Sequence, residues 1–240
     1  MKKNLIPGIY NYCDMWCEQC KYTTQCLVFQ KEKERRIKHL ENDEDPDDIN
    51  SVLEDVKESF QEAFMLIKEQ KGELEIETED VGESKFITAP DFTKYNIHSI
   101  GNEYFSRGIE LLESLSKYYS LIVLCCDGED VVYDEDSLDI KNNIQILSYY
   151  THQVFSKIRR LIMELEDKVM DEYLLEARNI TAKIIYIALT RSSEALGYFY
   201  QLENGFEEEI EEMLLLTNKV KDELLSLVPD VENYKRKYFD

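Results

Sequence analysis

The sequence predicts an all-α fold: an up-and-down helical bundle of about five to six helices, preceded by an N-terminal four-cysteine metal-binding loop. Three observations support the helical body. The 240 residues include only 8 Gly and 4 Pro, so few positions interrupt regular structure. Hydrophobic residues make up 43% of the chain, which is enough for a substantial core. Apolar residues also recur at intervals of three and four, the spacing of one helix face.

Two helices are predicted before residue 70. The first runs from Leu27 to about Leu40 and is highly charged. After the acidic break ENDEDPDD, Asp47 or Asp48 can cap a second helix that ends near Lys68. Its apolar stripe consists of Val52, Val56, Phe60, Phe64 and Ile67. Residues 71–91 are acidic, so we expect a flexible connector there, within which ELEIET could form a short strand.

Three strong helices and a final amphipathic helix are predicted after the connector. Their expected bounds are about Tyr95 to Cys125, Ser137 to Met170, Tyr173 to Leu202, and residues 206–228. Short connections between long helices imply antiparallel neighbours, hence the bundle. We therefore expect two parts, a metal-binding segment at residues 1–30 and a helical bundle at residues 31–240.

The charge is uneven along the chain. The formal net charge is -22, yet residues 1–40 carry eight Lys or Arg and four acids. The remaining 200 residues are strongly acidic and repel nucleic acid and anionic membranes. We therefore do not expect nucleic acid as a partner. No apolar run approaches the roughly 20 residues that span a bilayer. We expect a cytoplasmic protein without membrane segments, whose partner is a protein or a small anionic ligand.

Four cysteines lie within fourteen residues near the N-terminus. Cys13, Cys17, Cys20 and Cys26 are spaced C-x3-C-x2-C-x5-C, and the chain has two other cysteines, Cys125 and Cys126. Nothing else in the sequence suggests secretion, so disulfides explain the cluster poorly. Neighbouring thiolates repel one another unless a cation neutralises them. The spacing therefore predicts one metal centre, whereas Cys125 and Cys126 end an apolar run and are expected to be buried.

The ligand spacing favours a [4Fe-4S] cluster over zinc. Structural zinc sites with four thiolates usually join two C-x2-C knuckles separated by a dozen or more residues. Here all four ligands lie in one short segment, closer to ferredoxin-type spacing. The part CEQCKYTTQC is also similar to cluster segments of radical-SAM maturation enzymes and iron–sulfur exonucleases. Zinc remains the alternative.

The segment IYNYCDMWCEQCKYTTQC resembles a group of uncharacterised bacterial proteins whose opening reads like YCDRWCERC followed by a fourth cysteine. Three further stretches look similar, at residues 96–105, 148–162 and 179–196. The chain departs from that pattern at Met15 and Gln19, where arginines are expected. The resemblance implies that the cysteine loop and the helices form one unit, and it implies no activity.

A second candidate site is an anion pocket between the helices. Its candidate residues are His98, His152, Lys183 and Arg191. Lys183 and Arg191 interrupt the most apolar helix and share a stripe with Ile187, so they need partners, for which Glu176, Glu194 and Tyr149 are candidates. Internal ion pairing, or side-chain stems that extend their charges to solvent, is the interpretation that we favour for these cations.

No Gly-rich phosphate loop, G-x-S-x-G elbow or H-E-x-x-H motif occurs. The sequence thus predicts a metal-binding helical protein of unknown activity, redox-active or partner-binding, with an enzyme that binds an anion as the alternative.

Overall fold

The computed structural model describes residues 4–73, 90–119, 135–167, 171–203 and 205–240, which form six α-helices and four short 3-10 turns without a strand. The helices are α1 (Leu27–Glu41), α2 (Ile49–Glu73), α3 (Asn96–Tyr118), α4 (Glu135–Glu166), α5 (Glu172–Gln201) and α6 (Glu207–Leu227). The all-α prediction is confirmed, and all six predicted helices are present. No helix in these ranges is both long and apolar enough to cross a membrane.

Three predicted helix ends differ from the structure by four residues or more. The second helix continues to Glu73, so residues 71–73 are helical rather than part of the connector. The third ends at Tyr118 instead of Cys125, and the fourth ends at Glu166 instead of Met170. Residues 74–89 of the predicted connector, which include all of ELEIET except Glu73, lie outside the described residues, as do Cys125 and Cys126.

The chain divides into two compact units. The first comprises Met1–Tyr10 and Met15–Thr88 and contains α1 and α2. The second comprises Asn11–Asp14 and Ala89–Asp240 and contains α3 to α6. The predicted boundary after residue 30 falls inside the first unit.

The second unit is a four-helix bundle. Helix α3 packs against α4 and α6, and α5 packs against the same two helices. Residues 167–171 join α4 to α5 and residues 202–206 join α5 to α6, so these neighbours run antiparallel. The core includes the fully buried side chains of Tyr104, Tyr150 and Phe199.

Two glycines on α3 allow close packing within this bundle. A Cβ atom at Gly101 would lie 2.6 Å from Ile158 Cδ1. One at Gly108 would lie 2.8 Å from Thr151 Cγ2 and 3.3 Å from Met213 Cε. Thr151 is buried and β-branched, so its side chain cannot turn away easily. Gly108 therefore sets the distance between α3 and α4.

We expect Gly108→Ala to be less stable than the matched variant Gly197→Ala. Nothing lies within 4 Å of a Cβ atom at Gly197 in α5. Both substitutions gain the same helix propensity, but only the first overpacks the core, which costs about 1–3 kcal/mol. Urea denaturation should show that difference between the two free energies of unfolding. Equal values would contradict the close approach at Gly108.

Helices α1 and α2 form an antiparallel hairpin with ion pairs between them. Lys31 pairs with Glu62, and Lys38, further along α1, pairs with Glu58, which comes earlier in α2. This order of the pairs shows that the two helices run antiparallel. These pairs are exposed, and each contributes on the order of 0–1 kcal/mol.

His39 is a buried titratable residue of this hairpin. Its Nδ1 lies 2.7 Å from Glu44 Oε2 and its Nε2 lies 3.1 Å from Asp55 Oδ1, while the side chain is only 2% exposed. Two carboxylate partners require a proton on each ring nitrogen, so the imidazolium is the favoured form. The hydrogen bond to Glu44 and then that to Asp55 raise the pKa of His39 above its usual 6.5.

The stability of the hairpin should decrease as the pH rises through the raised pKa of His39. The folded protein holds this proton more tightly than the unfolded chain, so the stabilisation is complete below the unfolded value of 6.5 and is lost above the folded value. Hydrogen exchange of α1 and α2 amides from about pH 5 to 9 would measure the opening free energy of this unit.

His39→Gln should flatten that pH dependence. His152→Gln is the matched control, because His152 Nδ1 faces only the Ser148 carbonyl oxygen at 2.9 Å. Indistinguishable pH curves for the wild type and His39→Gln would show that the His39 ion pairs do not stabilise the hairpin.

Candidate functional site

The cysteine segment is built from tight turns rather than from a long helix. Residues Cys17–Gln19 and Thr23–Gln25 form 3-10 turns, and α1 begins directly after Cys26. The Cys20 amide donates a hydrogen bond to the Cys17 carbonyl oxygen at 3.1 Å, which closes the first turn. Cys26 is the N-cap residue of α1 and makes no side-chain capping hydrogen bond.

The four sulfur-bearing residues are half-buried thiols and form no disulfide with one another. The Tyr22 backbone amide donates a hydrogen bond to Cys20 Sγ at 3.4 Å. Hydrogen bonds to ligand sulfurs are one of the ways in which proteins tune metal clusters.

The described residues do not bring the cysteine sulfurs into a closed metal site. Cys17, Cys20 and Cys26 belong to the first unit, yet the one described group with three candidate ligand atoms within 4.8 Å of one another is His39, Glu44 and Glu54. The four-cysteine metal centre therefore stays a prediction, for a [4Fe-4S] cluster and for zinc alike.

Asp14, next to Cys13, is anchored on the bundle within the second unit. Its carbonyl oxygen accepts hydrogen bonds from the Tyr149 hydroxyl at 2.8 Å and from Gln153 Nε2 at 3.1 Å. Its carboxylate oxygen Oδ2 accepts a hydrogen bond from the Tyr150 hydroxyl at 2.8 Å. These contacts hold residues 11–14, and therefore Cys13, against α4.

Arg191 completes the charge balance at Asp14. Its guanidinium lies 3.5 Å from Asp14 Oδ2 and also donates to the Tyr150 hydroxyl. Burial, followed by the negative charge of Asp14, raises the pKa of Tyr150, while Arg191 opposes the increase. Tyr150 thus remains a neutral hydrogen-bond donor to Asp14.

A second cation lies near Cys13. Burial and the neighbouring Arg160 guanidinium lower the pKa of Lys157, whereas the negative charge of Cys13 acts to raise it. Lys157 and Cys13 therefore lie close enough to interact electrostatically.

The structure places Lys183 and Arg191 together and the two predicted histidines elsewhere. Both cations line a cavity of about 500 Å³ formed by one side of α5 and by the segment after α6. His98 stacks on Phe92 with ring centroids 5.3 Å apart, and His152 packs against Phe105. Neither histidine is among the residues that line the cavity.

The partners of these cations differ from those suggested by the sequence. Lys183 Nζ donates to the Glu232 carbonyl oxygen at 2.8 Å, and Arg191 pairs with Asp14 rather than with Tyr149. Glu176 instead accepts a hydrogen bond from Tyr12 at 3.0 Å. Pattern analysis missed Asp14, Tyr150 and Gln153. The sequence offers two features that could have pointed to them: Asp14 lies between Cys13 and Cys17, and Tyr150 directly follows another tyrosine on a helix.

His39, Glu44 and Glu54 form a further cluster of potential ligands, whose candidate atoms lie within 4.8 Å of one another. Both ring nitrogens of His39 face carboxylates, so the favoured imidazolium has no lone pair for a metal ion. This cluster is explained by ion pairing.

No protein-family model, curated protein or solved structure matches the chain. The functional assignment therefore rests on the residues and their geometry.

Proposed function

We propose that the chain is a metal-binding protein in which Cys13, Cys17, Cys20 and Cys26 hold one [4Fe-4S] cluster, with zinc as the alternative. The observation that carries this proposal is the hydrogen bond from the Tyr22 amide to Cys20 Sγ, in a segment with four half-buried thiols. Thiolate ligands need such donors, because each carries a negative charge that is partly removed from water.

Local charge also supports the proposal. The body of the protein is strongly acidic, yet residues 1–40 are net basic. Lys157 lies near Cys13, and Cys26 caps the N-terminus of α1. Positive potential at these places offsets the repulsion between thiolates that is expected before a metal binds.

A bound cluster would supply either electron transfer or a purely structural cross-link. The residues of the chain would supply its ligands, the amide donor at Cys20 and the anchor at Asp14. The helical bundle would then present the centre to a partner protein.

The test is metal analysis of protein purified without oxygen. We expect a brown protein with broad visible absorption and about four iron and four sulfide per chain. Cys20→Ser should lose most of the bound iron, because it removes one ligand. Cys125→Ser and Cys126→Ser are the matched controls and should keep the wild-type iron content.

Two outcomes would contradict this assignment at different levels. A colourless protein with one zinc per chain that is lost in Cys20→Ser would replace the cluster by zinc. Protein with neither metal, whose four N-terminal thiols react freely with a thiol reagent, would refute metal binding altogether.

A further inference from the structure

Lys183 is a buried cation with an uncharged partner. It lies on α5, is 9% exposed, and donates from Nζ to the Glu232 carbonyl oxygen at 2.8 Å. The same nitrogen lies 5.4 Å from the centroid of the Tyr186 ring. Among the described residues, no carboxylate oxygen lies within 4.0 Å of it, although the Asp240 carboxylate of the same cavity is close enough for Lys183 to help lower its pKa. A lysine ammonium has three donors, so a second oxygen ligand can still bind.

This arrangement is unfavourable unless something compensates for it. A buried charge loses its hydration, and a single neutral carbonyl replaces only part of that loss. Natural proteins pair such charges or use them to bind a ligand. Because Lys183 lines the cavity beside α5, an anionic group of a ligand can reach it there.

The cavity is lined by three cations, Lys183 included, and three carboxylates. The cations are Lys183, Arg191 and Lys235, and the carboxylates are Glu194, Glu232 and Asp240. Arg191 is already paired with Asp14, and Glu232 Oε1 accepts a hydrogen bond from the Tyr186 hydroxyl at 2.9 Å. Three carboxylates in a chain of net charge -22 disfavour a dianion more than a monoanion.

The cavity also has an apolar and aromatic side. Tyr186, Ile187 and Tyr234 line it, and its volume of about 500 Å³ is in the range of small-molecule sites. We infer that the cavity binds a small monocarboxylate, with the carboxylate at Lys183 and an apolar or aromatic body against Ile187 and the two tyrosines. This site shares no residue with the four cysteines, so it stands independently of the metal proposal.

The inference can be tested by thermal shift and calorimetry with sodium acetate, sodium benzoate and inorganic phosphate at constant ionic strength. Benzoate should raise the Tm of the full chain most, acetate less, and phosphate least, because only benzoate offers both a monoanion and an aromatic body. Lys183→Met should weaken benzoate binding about 10- to 100-fold, the usual contribution of a charged hydrogen bond. Lys219→Met, an exposed lysine of α6, is the matched control and should bind like the wild type.

A second variant keeps the test decisive if Lys183→Met does not fold. Ile187→Trp fills the cavity without removing a charge, and it should also abolish benzoate binding. The inference is overturned if no carboxylate raises the wild-type Tm, if phosphate binds as well as benzoate, or if both variants bind benzoate like the wild type. Metal content should remain unchanged in both variants, which separates this test from that of the cysteines.

Discussion

The second unit depends on how the charge of Asp14 is satisfied. The side chain is only 17% exposed, and an isolated carboxylate in that position would be strongly destabilising. Tyr150 donates to it from α4, and Arg191 approaches it from α5. Tyr149 and Gln153 hold the backbone oxygen of the same residue. A single aspartate thus joins residues 11–14 to two helices, and it fixes the cysteine beside it.

Asp14 and Lys183 show two different solutions to burying a charge. Asp14 has a cation and a hydroxyl donor, so its charge is compensated within the chain. Lys183 donates to a carbonyl oxygen and lies over the Tyr186 ring, and the charge of Asp240 acts on it without a salt bridge between them. A charge with a direct ionic partner favours a structural role, because removing either partner leaves the other buried and unpaired. A charge without a direct ionic partner favours a binding role, for which a ligand provides that partner.

Helix periodicity predicted the fold but not the long-range contacts. All six predicted helices are present, and α4 and α5 contribute many of the buried side chains of the bundle. The stripe of α2 predicted the correct helix, although Val52 and Phe60 on it are 42% and 74% exposed. Lys183 and Arg191, which the spacing placed on one stripe, line the same cavity beside α5. It could not identify Asp14 or Tyr150 as partners of Arg191, because they are distant in sequence and belong to different segments. The histidines were placed in the pocket from residue type alone, and aromatic packing holds both elsewhere.

The geometry of α5 separates the two proposed sites. Lys183 and Arg191 are eight residues apart, which is about 12 Å along the helix axis. A small carboxylate bound at Lys183 cannot reach that far, and Arg191 is already engaged by Asp14 and Tyr150. A ligand that recruited Arg191 would have to replace those contacts and so release the anchor beside Cys13. Binding at Lys183 alone leaves the anchor intact, and this is why a small monoanion suits the cavity better than a long dianion.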